Sequence, residues 1–436
     1  MIPLRKRAAF VIRGGRVIDP ANNIDSTTDV YVQRGKIVGM GTAPDDFTAD
    51  HEIDAQGRIV CPGLVDLSAR LREPGNEHKA TIESETRAAA AGGITTLCCP
   101  PDTNPIIDTP AVVELIRHRS EQAGFARVVT LGALTKELLG ERLTEAAALK
   151  QAGCVGLSNA LLPLSNTQVQ RRAYEYAATF DITVFIHAED FWLANGGCAH
   201  EGAISTRMGL PAIPAAAETA AVARDLALIE QTGVRAHFCR LTTARAVQMV
   251  ARAQYDGLPV TADVATPYLY LTDVDLVGFN AQCHVQPPLR GQHDREALRA
   301  GLARGTLSAL CSDHQPHEAD AKLAPFISTA PGISGVDTLL SLGLRLIDEN
   351  LLTLPEVIAR LSHGPARILG LDQQGIGTLS IGKPADIVVF DPNQPWRVNT
   401  STLNSAGHNT PFMNWELKGQ VTHTLLGGKL VFQREG

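Results

Sequence analysis

From Gly63 onwards the chain alternates short apolar runs with stretches of helical period, and this alternation constrains the fold more than any other feature. Apolar β-rich runs of this length predict buried strands, and the stretches between them predict helices. Eight strands are predicted, within GLVDLSARL, ITTLCCP, ARVVTLGAL, CVGLSN, ITVFIHAED, RAHFCRL, PVTADVA and LSALCSDH. Six helices are predicted, within TIESETRAAAAGG, TPAVVELIRHRSEQAG, RLTEAAALKQAG, NTQVQRRAYEYAATF, AAAETAAVARDLALIEQTG and TARAVQMVARAQYDG, and many of them end on Gly. The pattern indicates an α/β protein with a (β/α)8 TIM barrel.

The two ends of the chain show the sequence pattern of short strands without intervening helices. FVIRGGRVID, DVYVQRGKIVGMG and HEIDAQGRIV show the period-two alternation of short strands, and strand texture returns in GTLSIGKPADIVVFD and QVTHTLLGGKLVFQ. We therefore predict that residues 1–60 and 371–436 meet in one small β-sandwich, and that residues 61–370 form the barrel inserted between them.

Net charge and the length of the apolar runs argue against some classes of partner. The net charge of −7 argues against nucleic acid or an anionic membrane as the main partner. The apolar run Ala8 to Ile12 is too short for a signal sequence, and no stretch has the length of a membrane span. The eight cysteines are scattered through strand-like runs, as expected of reduced core residues. These features predict a cytoplasmic protein.

Active sites of TIM barrels lie at the carboxyl ends of the strands, so the polar residues there are the candidates. They are Ser68, Arg70 and Arg72 after the first strand, Asn104 after the second, Asn159 after the fourth, His187 and Glu189 after the fifth, Arg240 after the sixth, and Asp313, His314 and His317 after the eighth.

Several motifs in succession resemble those of dihydroorotases, which belong to the amidohydrolase superfamily. PGLVDLSARLREPG is similar to the family's PGLVDxHxHLREPG, AAAAGGITTLCCPPDTNP to its AAAGGxTTxxxMPNTxP, and SDHQPH to its TDHAPH. VQPPLR, PGISGVDTLLSL, KPADIVVFDP and NTPF also have counterparts there. The resemblance runs from end to end and implies a barrel of the amidohydrolase type.

The resemblance also implies where metal ligands would lie. Dihydroorotases hold two zinc ions with paired histidines after strand one, a bridging carboxylate after strand four, single histidines after strands five and six, and an aspartate after strand eight that is also the general base. The corresponding residues here are Ser68, Arg70, Asn159, His187, Arg240 and Asp313. Only His187 and Asp313 keep the ligand type.

These replacements predict that the binuclear zinc site is lost and that the chain needs no cofactor. A guanidinium has no lone pair to donate and stays protonated in proteins. His187 and Asp313 alone do not supply the three protein ligands that a catalytic zinc needs. We expect Arg70 and Arg240 to occupy the space of the metals and to pair with Asp313, which is then only a vestigial general base.

The resemblance assigns substrate contacts to Arg72, Asn104 and His317, and Gln286 stands where the family has an asparagine before PPLR. Two interpretations stay open: weak binding of dihydroorotate or carbamoyl-aspartate, and purely structural polar contacts. A rebuilt metal site would have to draw on His78, His237 or His284 together with Cys239, Cys311 or His187. Cys239 neighbours Arg240 and should face the opposite side of the strand, so this possibility is disfavoured.

Some bacteria carry a dihydroorotase-like chain with a degenerate metal site that forms a complex with aspartate carbamoyltransferase, and this sequence resembles such chains. The resemblance implies a non-catalytic scaffold subunit in pyrimidine biosynthesis, in a hetero-oligomer or homo-oligomer. Two alternatives remain. One is a cyclic-amide hydrolase with a rebuilt or mononuclear metal site, and the other is a sensor that binds dihydroorotate or carbamoyl-aspartate through Arg72, Asn104 and His317.

Overall fold

A computed structural model describes residues 8–435 of the chain. The N-terminal part forms five strands: β1 (Phe10–Asp19), β2 (Ile24–Gln33), β3 (Lys36–Met40), β4 (His51–Asp54) and β5 (Ile59–Pro62). β1 pairs antiparallel with β2 and parallel with both β4 and β5. The alternation of apolar and polar residues in this part of the chain thus gives the strands that it predicted.

Eight parallel strands follow and form a nearly closed barrel in the order β6-β7-β8-β9-β10-β13-β14-β15. The strands of this region are β6 (Leu64–Asp66), β7 (Ile94–Cys99), β8 (Arg127–Ala133), β9 (Gly156–Ser158), β10 (Val184–Ile186), β11 (Ala199–His200), β12 (Ala212–Ile213), β13 (Ala236–Phe238), β14 (Val260–Ala265) and β15 (Ala309–Cys311). β11 and β12 pair only with each other, within the loop after β10. All eight predicted strands are present, and the predicted (β/α)8 fold is confirmed.

The helices surround the barrel. They are α1 (Ile82–Ala91), α2 (Pro110–Ala123), α3 (Ala146–Ala152), α4 (Thr167–Thr179), α5 (Phe191–Ala194), α6 (Ala203–Met208), α7 (Ala215–Thr232), α8 (Ala244–Tyr255), α9 (Gln292–Arg304), α10 (Leu339–Asp348), α11 (Leu354–Leu361) and α12 (His363–Ile368). The six predicted helices correspond to α1 to α4, α7 and α8. Gly124, Gly153 and Gly233 cap three of them in the left-handed conformation. The prediction omitted α9, although QHDREALRAGLAR has helical composition.

The chain returns to the N-terminal strands through β16 (Ile387–Arg397), β17 (Glu416–Leu426) and β18 (Lys429–Gln433). β16 pairs antiparallel with β5, so both chain ends share one continuous eight-stranded sheet. Side chains alternate between its faces: Ile387 and Val389 join a core of their own, whereas Val388 and Phe390 pack against the barrel. The small β-sandwich predicted from both chain ends is therefore a single sheet with a core of its own.

The barrel closes beside the predicted site. Ala69 and His314 form a parallel bridge between the segments that follow β6 and β15. Arg70 N donates to His314 O at 2.9 Å, and His314 N donates to Ser68 O at 3.0 Å. This closure brings the residues after the first and eighth strands into direct contact. Among residues 8–435, no helix is both long enough and apolar enough to cross a membrane.

A buried polar cluster joins two barrel helices. Gln170 Nε2 and Tyr174 OH, both on α4, donate to Oδ1 of Asp225 on α7. Arg224 Nε lies 3.7 Å from the same oxygen. Burial raises the pKa of Asp225 to about 6. This carboxyl is therefore protonated in the folded chain at pH values where it is ionised in the unfolded chain, whose aspartate pKa is about 3.9.

We expect Asp225→Asn to stabilise the protein at pH 7. Between about pH 4 and pH 6 the folded chain retains a proton that the unfolded chain has lost, so the wild-type free energy of unfolding falls as pH rises through this window. Asparagine keeps an acceptor oxygen without the charge, and the expected gain at pH 7 is at most about 3 kcal/mol. Urea denaturation from pH 4 to pH 8 measures it. Asp46→Asn, at an exposed position, is the control, and a pH-independent difference for Asp225→Asn would contradict the assignment.

Candidate functional site

Five residues from four strand ends form the centre of the barrel mouth, and we call them the arginine–aspartate cluster: Ser68, Arg70, Asp102, Arg240 and Asp313. Oδ1 of Asp313 lies 3.5 Å from Arg70 Nη1 and 3.4 Å from Arg240 Nε. Ser68 Oγ donates to the same oxygen at 3.1 Å, and Arg240 Nη1 donates to Ser68 Oγ at 3.3 Å. The expected pairing of both arginines with Asp313 is therefore observed.

Asp102 is the member of the cluster that sequence reasoning missed. Its Oδ2 accepts a hydrogen bond of 2.8 Å from Arg70 Nε, the shortest ion pair of the cluster. The family motif MPNTxP, aligned with PPDTNP, places its asparagine at position 102. An acid thus stands where the motif has an amide, beside an arginine that stands where the motif has a histidine. This second difference from the family motif could have identified Asp102 from the sequence.

The cluster is buried except for the partly exposed Asp102, and its formal charges balance. Arg70, Arg240 and Asp313 are each only 5–6% exposed. Two guanidinium groups face two carboxylates, so no net charge is left in the low-dielectric interior. Burial lowers the pKa of the Arg240 guanidinium, but the nearby groups, Asp313 first among them, together outweigh burial and raise that pKa above its ordinary value. A guanidinium stays protonated in proteins, so both arginines are cations.

Backbone conformation at the strand ends directs these side chains. Arg240 (φ 52°) and Asp313 (φ 45°) adopt the left-handed conformation, which costs about 1–3 kcal/mol at a non-glycine residue. Arg72 (φ 65°) does so as well. Residues 68, 70 and 72 would share one face only if the strand continued regularly, and β6 ends at Asp66.

Arg72 and His317 form a separate group at one side of the mouth. Arg72 Nε donates to Pro316 O at 2.9 Å, and its Nη2 lies 3.0 Å from His317 Nε2. Lys79 Nζ lies 3.1 Å from His317 Nδ1. Burial, together with the adjacent Arg72 charge, lowers the pKa of His317 to about 3, so the ring is neutral. A neutral ring has one acceptor nitrogen, which accepts from only one of the two cations.

Two further candidates for substrate contact lie apart from this group. Asn104 is exposed, and the motif alignment assigns the family's asparagine to position 102 instead. Gln286 Nε2 donates to Glu189 Oε1 at 3.3 Å, and His187 Nε2 lies 3.9 Å from the same oxygen. The four predicted substrate residues are therefore distributed over three places.

Asn159, at the position of the bridging carboxylate, is directed into the adjoining loops. Its Oδ1 accepts from Thr135 Oγ1 at 2.8 Å, and its Nδ2 donates to Leu138 O and Leu162 O at 3.0 and 2.9 Å. Both atoms of the amide are thus occupied, and its role is to fasten the loops after β8 and β9 to each other. His314 is similarly occupied, since its Nε2 lies 2.7 Å from Glu85 Oε2 and its Nδ1 accepts from Gly335 N.

Free space near the cluster is small. A cavity beside Arg70 and Asp102 has a volume of about 20 Å³, and one beside Asn159 and His187 has about 30 Å³. Each has room for one or two water molecules. Pockets for small molecules measure about 300–1,000 Å³. Side chains therefore fill the region in which a hydrolase of this fold would hold metal and substrate.

One set of metal-type ligands does come together below the cluster. Single ligand atoms of His237, Cys239 and Asp263 all lie within 4.8 Å of one another. His237 Nε2 is 2.9 Å from Asp263 Oδ2 and its Nδ1 is 2.8 Å from Thr261 Oγ1, so both ring nitrogens already have hydrogen-bond partners. Asp263, which sequence reasoning did not select, also accepts from Arg240 N. This set forms a hydrogen-bonded layer beneath the mouth.

The other residues considered for a rebuilt metal site do not assemble. His78 is exposed on the loop after β6, and His284 stacks on Phe326 with Nδ1 2.8 Å from Thr329 Oγ1. Cys311 Sγ lies 3.7 Å from Asp263 Oδ1. Its thiol and that of Cys239 are buried, which raises the pKa of both and keeps them protonated. Thiols of this kind are poor ligands, because the thiolate is the form that binds metal.

The residues present at the former ligand positions do not fit a binuclear zinc centre. Two of the six are guanidinium groups in contact with Asp313, and Asn159 is bonded to neighbouring loops. His187 is the only imidazole in the set, and its Nε2 has no hydrogen-bond partner. Fixed cations at the aspartate also oppose a divalent ion by Coulomb repulsion.

Comparisons with known proteins agree with the fold and the motifs. A family model described as "Dihydro-orotase-like" matches residues 57–246, and one described as "Amidohydrolase family" matches residues 209–432. The chain is 52% identical to a dihydroorotase-like protein of Pseudomonas aeruginosa over 422 residues, covering 97% of this chain and 99% of that one. It is 43% identical to a dihydroorotase of Syntrophotalea carbinolica, again over 97% of this chain and 99% of the relative.

Among solved structures, the L-hydantoinase of Arthrobacter aurescens superposes with a TM-score of 0.87 at 22% identity, covering 98% of this chain and 97% of that one. This likeness shows the fold, and together with the "Amidohydrolase family" model it identifies the barrel as one of the amidohydrolase type. The chain belongs to the dihydroorotase-like family of amidohydrolases, as the full-length relatives show. A member of the dihydroorotase-like family therefore carries the arginine–aspartate cluster at its barrel mouth.

We expect Asp313→Ala to destabilise the protein by about 3–5 kcal/mol, because it leaves Arg240 buried without its carboxylate. Urea denaturation gives the free energy of unfolding. Asp320→Ala removes an exposed acid from the same loop and should change it by less than about 0.5 kcal/mol.

A coupling experiment strengthens this test. Adding Arg240→Met to Asp313→Ala should recover part of the lost stability, because methionine needs no counter-charge. Additive losses from the two substitutions would contradict an ion pair between these residues.

Proposed function

We propose that this chain is a non-catalytic member of its family and a scaffold subunit of aspartate carbamoyltransferase in de novo pyrimidine biosynthesis. The observation that carries the non-catalytic part is the arginine–aspartate cluster, which occupies the centre of the mouth with balanced charges. Under this proposal Asp313 is a structural counter-ion, and no side chain of the cluster takes part in hydrolysis.

Hydrolysis of a cyclic amide needs an activated nucleophile and a group that polarises the carbonyl. In zinc hydrolases the metal supplies both. Oδ1 of Asp313 is in contact with two guanidinium groups and accepts a hydrogen bond from Ser68, so this carboxylate is engaged in contacts within the protein. The cavities beside Arg70 and Asp102 and beside His187 are also too small for a six-membered ring. These features support a role other than catalysis.

The partner is proposed on grounds other than the arginine–aspartate cluster. Its support is the resemblance to bacterial dihydroorotase-like chains that associate with aspartate carbamoyltransferase, together with the intact framework of barrel and outer sheet. A fold that keeps its core and loops while its ligands are replaced is expected where assembly, and not turnover, is the property that matters. The function proposed also requires a separate active dihydroorotase in a cell that makes pyrimidines de novo.

The hydrolase with a rebuilt metal site is the alternative that a specific observation favours, namely the convergence of His237, Cys239 and Asp263. His237 and Asp263 are 0% and 1% exposed, so a metal held there would have no access to a substrate. A catalytic zinc keeps one coordination position open to water or substrate. This set is therefore suited at most to a structural ion.

We expect purified protein to hydrolyse neither dihydroorotate nor any related cyclic amide, and to form none from carbamoyl-aspartate. Turnover should be absent with added zinc and with chelator, and metal analysis should find far less than one zinc per chain. An active dihydroorotase assayed in parallel is the control. Chelator-sensitive turnover would show that a rebuilt metal site exists and would overturn the non-catalytic assignment.

We expect this chain and the aspartate carbamoyltransferase catalytic chain of the same organism to elute together on gel filtration. The transferase alone should show lower activity or a smaller assembly, which the mixture restores. Calorimetry with dihydroorotate and carbamoyl-aspartate tests the sensor alternative, and a Kd weaker than about 1 mM would exclude it. Two independent elution peaks at micromolar concentrations would count against the scaffold proposal.

A further inference from the structure

Large exposed hydrophobic side chains are concentrated on one face of the molecule. Fourteen are found among the described residues, and ten of them lie on loops that follow barrel strands. We call these ten the apolar rim: Leu139, Leu162, Phe191, Trp192, Leu193, Val274, Val277, Phe279, Leu323 and Ile327. Isolated exposed hydrophobic residues are ordinary, but a set confined to one face marks an interaction surface.

Contacts between the loops join most of the rim into one surface. The 3-10 turn Asp273–Leu276, in the loop after β14, packs on α6 in the loop after β10. His284, further along the loop after β14, stacks on Phe326 in the loop after β15. Trp192, in the loop after β10, is 76% exposed, and Leu323, in the loop after β15, is 78% exposed. The three loops that carry eight of the ten rim residues are therefore in contact through the loop after β14.

A small-molecule role does not account for this exposure. The barrel centre beneath the rim is filled by the arginine–aspartate cluster, and the cavities there measure about 20 and 30 Å³. The apolar side chains consequently surround no binding cavity. Tryptophan and phenylalanine are enriched where protein surfaces dock, because each buries a large area on contact.

Exposed charges on the same loops indicate the chemistry of the partner. Acidic residues outnumber basic ones there: Glu137, Glu141, Glu145, Glu201, Asp275 and Asp320 against Lys136, Arg142 and Arg207. Two copies of this chain docked by this face would bring acidic loops against acidic loops. A surface with basic residues around an apolar centre is the complementary one.

We propose that the apolar rim at the barrel mouth is the docking surface for a different protein whose contact surface is apolar at the centre and basic at its edge. This inference rests on the proposed function, under which that protein is aspartate carbamoyltransferase. The face that in hydrolases of this fold admits substrate then holds the partner, and the helices around the barrel stay free.

Binding of the full-length chain to the aspartate carbamoyltransferase catalytic chain tests the surface. The double variant Trp192→Ser/Leu323→Ser removes apolar area from both sides of the rim and should weaken binding at least about ten-fold. Tyr255→Ser is the matched control, since Tyr255 is 84% exposed on α8 at the outside of the barrel, and it should leave the Kd unchanged. Thermal unfolding confirms that each variant is folded. Binding should also weaken as salt is raised from 0.05 to 0.5 M, roughly the range in which screening becomes strong.

The outcomes separate the two proposals. Wild-type affinity in the rim variant would overturn the docking surface and leave the scaffold function standing. Absence of binding by the wild-type chain would overturn the scaffold function and the docking surface with it. A wild-type dimer that the rim variant converts to monomer, with binding to the transferase intact, would show that the rim joins two copies of this chain and would overturn the partner chemistry.

Discussion

The ion pairs of Asp313 are the interaction on which the rest of the barrel mouth depends. A carboxylate that is 6% exposed needs compensating positive charge, because an isolated ion in a low-dielectric interior costs several kcal/mol. Arg70 and Arg240 provide that charge from opposite directions, through strand ends β6 and β13. Arginine suits this role because it does not lose its proton on burial, whereas a lysine would be expected to shift its pKa. In hydrolases of this fold, metal ions supply the positive charge at this place. Here the side chains of Arg70 and Arg240 supply it.

The members of the cluster depend on one another, which explains why the departures from the family motifs occur together. Arg70 alone would add a buried cation, and Asp102 offsets it at 2.8 Å. Ser68 accepts from Arg240 and donates to Asp313, a bridging position that a larger imidazole would fill. Restoring a single histidine would leave an arginine or an acid without its partner. The metal-binding arrangement and this one are therefore separated by several substitutions, each of which is unfavourable alone.

The sequence predicted the fold well because it rests on periodicity, which extends over many residues. All eight barrel strands and six helices follow from apolar runs and Gly-terminated helical stretches, and the position of Arg70 and Arg240 near Asp313 follows from the rule that strand ends meet at one face. The prediction failed where the chain leaves regular structure. Asn159 bonds to loop carbonyls, and Asp102 was recognisable only by comparing the motif position by position. Arg72 adopts a left-handed backbone beyond the end of β6. Parity rules carry no information there, because the loops are set by tertiary contacts.

Filling the centre of the mouth changes the constraint on the loops around it. In a hydrolase these loops must admit substrate and release product, so their side chains serve the cavity. Here the cavities beside the cluster have room for only one or two water molecules each, and the loops are held by contacts such as those of Asn159 and His284. Exposure of their apolar side chains to solvent is unfavourable, because burying apolar surface stabilises a protein by about 25 cal/mol per Å². Burial of this face against a partner is therefore favourable. The excess of acidic residues on its loops favours a partner with basic residues around the contact.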